Sequence, residues 1–376
     1  MNILQVIPEL DAGGAERTTI EIAEAVTAAG GRALVASQGG RLERELSAAG
    51  GELVHLPVKS KNPWTIWRNA ARLARLIREH EIDLIHARSR APAWSAFWAA
   101  KRTGAAFVTT YHGTYNARSG LKRWYNSIMA RGDRVIANSH FIGEHVTREH
   151  GVPADRLAVI PRGVDLARFD PARINQRAVQ TLRAKWRVEP EQILILLPAR
   201  LTRWKGQEHA IAALALIADQ TSNAVLVCAG DAQGRSDYAE TLRTKAEAAG
   251  IALRLPGHVE DMATAYAAAD LVLNPSIEPE AFGRSAAEAQ ALGRPVIVAD
   301  HGGAREVVEH AVTGWRAPPG DDQVLADTIA TALGQTPGAR DTMARAARER
   351  VTDMFSKRAL QEKTLRVYRE LLDCRS

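Results

Sequence analysis

The residues best suited to chemistry in this sequence of 376 residues fall into two sets. The first lies in PARLTRWKG, where Arg200 and Lys205 share one loop. Two cations so placed suit a diphosphate that gains negative charge as it leaves. An exposed basic loop is the alternative, and Arg203 between them can point to solvent. The second set lies in PSIEPEAFGRSAAEAQALGRP, which holds Glu280 and Glu288. A helix expected from about Gly283 to Leu292 stops at Gly293 before Pro295. Glu280 then sits in a loop and Glu288 in the second helical turn. The N–H groups of Phe282, Gly283 and Arg284 at the helix start suit phosphate or sugar oxygens. Carboxylates beside an anion site make sense as acceptors for sugar and ribose hydroxyls; two solvated surface glutamates are the alternative.

Two weaker signals lie earlier in the chain. Gly13 and Gly14 precede an expected helix of about Ala15–Ala29, where backbone N–H groups can approach an anion. The pattern is neither GxGxxG nor GxxxxGK[ST], which disfavours a dinucleotide site and a P-loop, and a simple tight turn competes with the anion reading. His112 follows an apolar run ending at Tyr111, and Gly113 beside it permits close approach of a ligand. A hydrogen-bonded loop histidine is the bland alternative.

These residues need elements to position them. Apolar runs rich in Val, Ile and Leu recur at Asn2–Pro8, Ala33–Ser37, Leu53–Leu56, Asp83–His86, Phe107–Tyr111, Arg134–Asn138 and Leu157–Ile160. They resume at Ile193–Ala199, Ala224–Ala229, Ala252–Leu255, Leu271–Asn274 and Pro295–Ala299. Such runs fit strands buried on both faces. Alternation with Ala-rich helical stretches predicts an α/β protein with parallel sheets. The polar, Arg-rich stretch from Arg162 to Pro190 reads as the connection between two doubly wound domains, with a short helix inside it. Ligands of open α/β sheets sit outside the carboxyl ends of the strands, so two facing domains would hold a site in the cleft between them. A last helix of about Ser356–Leu372 has an apolar face that could pack back across that cleft.

Composition narrows the class. Hydrophobic residues make up 46% and charged residues 24%, which is globular and excludes a wholly disordered, collagen-like or coiled-coil chain. Cys228 and Cys374 cannot build a disulfide framework or a cysteine zinc site, so a reducing compartment is expected. No apolar run reaches the ~18 residues of a spanning helix, and the N-terminal segment reads as a first strand rather than a signal peptide. No Asp-x-Asp occurs, which disfavours sugar transfer through a metal held by that motif. Asp321-Asp322 reads as a helix N-cap. Residues 1–180 carry 25 Lys and Arg against 17 Asp and Glu, which suggests an anionic partner on that side. The segment RSGLKRWYNSIMARGDR, from Arg118 to Arg134, mixes cations with Trp124, Tyr125, Ile128 and Met129. Lys59–Arg78 adds Trp64 and Trp67. That mix suits a face on anionic lipid, or else aromatics buried in a core beneath solvated arginines. Nucleic-acid binding has only the charge behind it.

The ordered signals Gly13-Gly14-Ala15-Glu16, His112-Gly113, Asn138-Ser139, Ile160-Pro161-Arg162-Gly163-Val164-Asp165, Arg200 with Lys205-Gly206, Glu280 with Glu288, and Gly302-Gly303-x-x-Glu306 span essentially the whole chain. With them the sequence resembles the retaining glycosyltransferases of family 4. The resemblance implies a GT-B fold of two Rossmann-like domains facing across a cleft. Residues 1–168 would bind the acceptor, 169–355 the nucleotide sugar, and 356–376 would form a helix crossing back to the first domain. Arg200 and Lys205 would hold the diphosphate, Glu280 the donor sugar and Glu288 the ribose. The N–H groups of Phe282, Gly283 and Arg284 would cradle the β-phosphate, His112 would contact the sugar, and Gly14 would lie near phosphate or acceptor. Arg162 stands where the family's junction often has Asn, and Arg284 where an apolar residue is usual.

The function so implied is transfer of a sugar from a nucleotide-sugar donor to a glycan or lipid-linked acceptor, as in lipopolysaccharide, capsule or exopolysaccharide synthesis. No metal or other cofactor is expected, and the expected location is the cytoplasm or the inner face of its membrane. A nucleotide-sugar epimerase on the same fold would act without acceptor. A non-catalytic nucleotide-sugar-binding protein is the third class, disfavoured by the intact charged set.

Overall fold

A computed structural model describes residues 1–376 except 12, 116–118, 235 and 376. The chain divides into two compact units, one of residues Met1–Gly163 with Lys357–Ser376 and one of Val164–Ser356. The divisions fall at 163/164 and 356/357 rather than at 168/169 and 355/356.

In the first unit, seven strands form a wholly parallel sheet. They are β1 (Asn2–Val6), β2 (Arg32–Ser37), β3 (Glu52–His55), β4 (Leu84–Ala87), β5 (Ala106–Tyr111), β6 (Arg134–Ala137) and β7 (Leu157–Val159), in the order β3-β2-β1-β4-β5-β6-β7. Ile3 pairs with Ala33 on one side and with Leu84 on the other. The central strands are fully buried, which is why they read as mostly apolar runs without polar alternation, with His86, Thr109 and Thr110 their buried polar members.

The second unit repeats the plan with β8 (Ile193–Leu197), β9 (Ala224–Ala229), β10 (Ala252–Gly257), β11 (Leu271–Asn274), β12 (Val296–Ala299) and β13 (Trp315–Ala317). Their order is β10-β9-β8-β11-β12-β13. Apolar clusters cover both faces of this sheet. The stretch expected to link two domains instead belongs to this unit: Phe169, Val179, Trp186 and Val188 are buried in its core. Helix Gln176–Lys185 is capped by the Asn175 side chain, which accepts from the Arg177 and Ala178 N–H groups. Asp321 caps helix Asp322–Leu333 through the Val324 N–H, the role read from its sequence context.

Each order reverses once, between β1 and β4 and again between β8 and β11. Successive strands there build outward in opposite directions, so the loops leaving their carboxyl ends diverge and open a crevice. Arg200 and Lys205 follow β8 and Glu280 follows β11, so both sets of chemically able residues flank the second reversal, while Gly14 follows β1 and Arg88 follows β4 at the first.

Helix Lys357–Asp373 belongs to the first unit. Leu360, Leu365, Val367, Tyr368 and Leu371 form its buried face, the i, i+4 pattern of an amphipathic helix. The Tyr368 hydroxyl meets His86 Nδ1 at 2.5 Å, and His86 Nε2 meets Thr110 Oγ1 at 2.7 Å. The tyrosine thus ties the helix to β4 and β5. Tyr368→Ala is expected to cost ~3–5 kcal/mol in urea unfolding, as for a buried aromatic truncated to alanine. Tyr368→Phe keeps the packing, strands one imidazole nitrogen, and is expected to cost about 1–3 kcal/mol.

Candidate active site

At the first reversal the polar groups come from several strand ends. Arg88 follows β4 and is 2% exposed. Its Nε donates to Gln5 Oε1 at 2.7 Å, and Gln5 Nε2 donates to the Thr19 carbonyl at 2.9 Å. His112 follows β5, and its Nδ1 accepts from Arg162 Nη2 at 3.3 Å. Arg162 also explains Gly14. A Cβ on Gly14 would lie 1.6 Å from Arg162 Nη1, so only glycine lets the guanidinium lie against this turn.

The His112 imidazole is held well below the ordinary histidine range, first by burial and then by the positive charges of Arg162 and Arg88. It is therefore neutral near pH 7. With Nδ1 accepting, the hydrogen-bond network assigns the proton to Nε2. Among the described residues nothing bonds His112 Nε2, Arg88 Nη2 or the side-chain amide of Asn138. Buried polar groups are rarely left unmatched. Three at one sheet edge, each at a strand's carboxyl end, mark a place for the polar atoms of a ligand.

At the second reversal three loops are knitted together. The Ile277 N–H donates to the Trp204 carbonyl at 2.8 Å, the Gly303 N–H to the Glu280 carbonyl at 2.7 Å, and His301 Nε2 lies 2.8 Å from the Ser276 carbonyl. Gly206 has φ 78° and would place a Cβ 2.1 Å from the Pro275 carbonyl oxygen, so it is required by both conformation and space.

On this frame Lys205 Nζ donates to Glu280 Oε1 at 2.6 Å, with side-chain exposures of only 15% and 12%. The same carboxylate oxygen lies 2.5 Å from the Ser276 hydroxyl, which is 3.1 Å from Asn274 Oδ1. Asn274 Nδ2 in turn donates to Ser285 Oγ at 2.9 Å. Lys205 also sits over the Trp204 ring, 4.2 Å from its centroid. Glu288 Oε2 accepts from the buried Tyr266 hydroxyl at 3.0 Å. Tyr266 is pushed well above the ordinary phenol range by burial, then by the charge and hydrogen bond of Glu288; Arg284 opposes the shift and Glu280 adds to it. Tyr266 thus holds Glu288 and feels the charges of Arg284 and Glu280.

Arg200 is exposed and reaches Gln233 Oε1 at 3.3 Å rather than the Lys205–Glu280 pair. Gly283 caps helix Arg284–Ala291. Phe282 is buried against Phe355, which leaves only its backbone to face a ligand. Sequence reasoning missed Arg88, Tyr266, Ser276 and His301. Of these, only Arg88 carried a signal, an arginine directly after an apolar run.

Comparison with known proteins fits this geometry. The family described as "Glycosyltransferase Family 4" matches residues 12–168, and "Glycosyl transferases group 1" matches residues 178–350. A glycosyltransferase from Rickettsia africae ESF-5, solved as a crystal structure, superposes with a TM-score of 0.90 at 34% identity, covering 99% of this chain and 98% of that one. The chain belongs to the family 4 glycosyltransferases. Its two parallel sheets are those of the GT-B fold. Anabaena Alr3699/HepE in complex with UDP and glucose is similar at a TM-score of 0.85 and 26% identity, over 98% of this chain and 100% of that one. A D-inositol 3-phosphate glycosyltransferase from Xylanimonas cellulosilytica is 33% identical over 226 residues, 59% of this chain and 53% of that protein. The match thus spans about half the length of that relative.

For a family 4 glycosyltransferase, Arg162 at the junction alters the electrostatics of His112. Arg162→Asn removes the second-largest influence holding the imidazole down, while burial remains. The His112 pKa is therefore expected to rise yet stay below the ordinary ~6.5, read by NMR titration of the ring. An unchanged titration would show that the guanidinium does not act on His112.

Proposed function

We propose that this chain transfers a hexose from a nucleoside diphosphate sugar, with retention of anomeric configuration, to a glycan or lipid-linked acceptor in lipopolysaccharide, capsule or exopolysaccharide synthesis. The observation that carries the reading is the largely enclosed Lys205–Glu280 pair at a sheet reversal, with Arg200 on the loop that carries Lys205. UDP and glucose in the similar Anabaena protein support a uridine diphosphate sugar as donor.

The chemistry follows from which groups are free to act. The bond from the anomeric carbon to the donor phosphate oxygen breaks as the acceptor oxygen bonds to that carbon on the same face. The acceptor proton passes to the departing phosphate oxygen. Double displacement would need a carboxylate nucleophile, and Glu280 is engaged with Lys205 and Ser276. In this reading Lys205 and Arg200 neutralise the leaving diphosphate without a metal, and Glu280 and Glu288 accept from sugar and ribose hydroxyls. The N–H groups from Phe282 to Arg284 cradle phosphate, with Gly14 near phosphate or acceptor. His112, neutral and with its proton on Nε2, donates to a sugar oxygen. The protein acts by positioning and electrostatics.

The relative's name offers inositol 3-phosphate as a second acceptor, and a basic N-terminal half is compatible with any phosphorylated acceptor. None of the described helices is long and apolar enough to cross a membrane, so association with a bilayer in this reading is peripheral.

Lys205→Ala and Arg200→Ala are each expected to lower turnover by about 10²–10³, the scale of losing one oxyanion donor. Near-wild-type turnover in both would remove them from the mechanism. A thermal-shift series with UDP-, GDP- and ADP-sugars checks the donor, since a ligand at 100 times its Kd stabilises by about 2.7 kcal/mol. Flotation with phosphatidylglycerol vesicles checks the peripheral site, and no binding at moderate salt would eliminate it.

A further inference from the structure

The first unit carries a groove that the transfer chemistry leaves unused. Trp67, Trp94, Trp98 and Trp124 line a hollow of about 510 Å³, with Lys61 and Arg102 at its rim. That volume lies within the ~300–1,000 Å³ of small-molecule sites. Helix Pro63–Glu79 supplies Trp67, and helix Arg90–Thr103 supplies Trp94 and Trp98. The two helices are joined by Ser95 Oγ donating to the Ile66 carbonyl at 3.1 Å. Trp94 is the fixed floor: it is buried, donates from Nε1 to the Tyr125 carbonyl at 3.2 Å, and packs on Trp124 at 4.5 Å between centroids. The other three tryptophans around it stand in water. Trp67 is 53% exposed, Trp98 47% and Trp124 52%, with Trp64 beside them at 64%. Ile128 and Met129, expected on the same face, are instead fully buried, and Arg118 lies outside the described residues. An exposed apolar patch of this kind marks a binding surface.

The charges around it identify the occupant. Residues 53–78 contain six Lys and Arg and no acid, and residues 84–132 contain eight and no acid. Among the described residues no carboxylate pairs with Lys61 or Arg102. A neutral glycan needs no such field, and a wholly apolar ligand gains nothing from it. The complementary molecule has a hydrocarbon chain and an anionic head.

The groove also leads to the site already described. Helix Arg90–Thr103 begins three residues after β4, at the sheet edge that carries Arg88 and His112. Arg90 stacks on the Tyr115 ring at 4.2 Å. Trp94 lies one helical turn further, about 6 Å along the axis. Trp94 and Trp98 thus lie on the helix between that edge, at Arg90, and the Lys61 and Arg102 rim.

We propose that this groove seats the hydrocarbon chain of a lipid phosphate that serves as acceptor. The proposal rests on the transfer reading for the word acceptor, and on the groove alone for lipid binding. Geranylgeranyl phosphate titrated into the full chain, followed by tryptophan fluorescence, is expected to bind saturably with a blue shift. The double variant Trp67→Ala/Trp98→Ala is expected to weaken it about tenfold, roughly the loss of one modest apolar contact, with thermal midpoint and UDP-glucose response unchanged. Lys61→Gln/Arg102→Gln, which touches only the rim, is expected to weaken binding and flatten its salt dependence. Absence of saturable binding, an equal response to inorganic phosphate, or equal affinity in both variants would overturn the proposal. So would a concentration-dependent doubling of mass that vanishes in the tryptophan variant, since it assigns the groove to a second copy. Failure of UDP-sugars to stabilise the protein, with lipid binding intact, would instead strike the transfer reading.

Discussion

Parallel pairing is the constraint from which the rest follows. Every strand in both sheets runs the same way, so every strand discharges its chain at the same edge. The opposite edge receives chain from the helices. Where the order reverses, two neighbouring strands send their chains apart and no connection closes the gap between them. Gly14 and Arg88 stand at one such gap, Lys205 and Glu280 at the other. The same topology, met twice, yields two polar hollows of different chemistry because different loops were built on it.

The two hollows hold their charges in different ways. In the second unit each ionic group is already partnered: Lys205 with Glu280, and Glu288 with Tyr266. Partly buried ions require this, because a lone charge there forfeits hydration without return. A ligand entering must exchange partners rather than fill an empty place, which keeps the site organised before it arrives. In the first unit the imidazole of His112 avoids the cost by staying neutral, and its Nδ1 lone pair gives Arg162 a partner. Arginine is suited to that position because its charge persists and its planar fork can lie flat over Gly14.

Much of this was legible in the sequence, and the exceptions have physical causes. Unbroken Val, Ile and Leu runs gave nearly every strand, since strands buried on both faces have little choice of residue. Trp315–Ala317 escaped because Arg316 interrupts it, whereas the equally short Leu157–Val159 stands in an unbroken apolar run. The stretch after Arg162 read as a linker because its apolar residues are sparse: Phe169, Val179, Trp186 and Val188 are spaced widely, and only packing reveals that they share one core. Glu280 and Lys205 were visible through loop context. Tyr266 and His301 were not, because each acts on a partner more than twenty residues away, and Ser276 was not, because only the fold of its loop turns the hydroxyl toward Glu280. The burial of Ile128 and Met129 beside exposed Trp124 shows the same limit. Composition marks a segment as amphipathic, and a short helical turn decides which side chains turn inward.

The chain leaves the first unit at Gly163, builds the whole of the second, and only then supplies helix Lys357–Asp373 to complete the first. Topologically the second unit is an insertion within the first. On a ribosome, where domains fold as they emerge, the order of completion is inverted. The middle of the chain can close on itself while the earlier sheet still waits for Tyr368 to reach His86. For that interval the nascent N-terminal sheet has helix Gly14–Ala28 against this face but lacks the apolar cover of Leu360, Leu365, Val367 and Leu371.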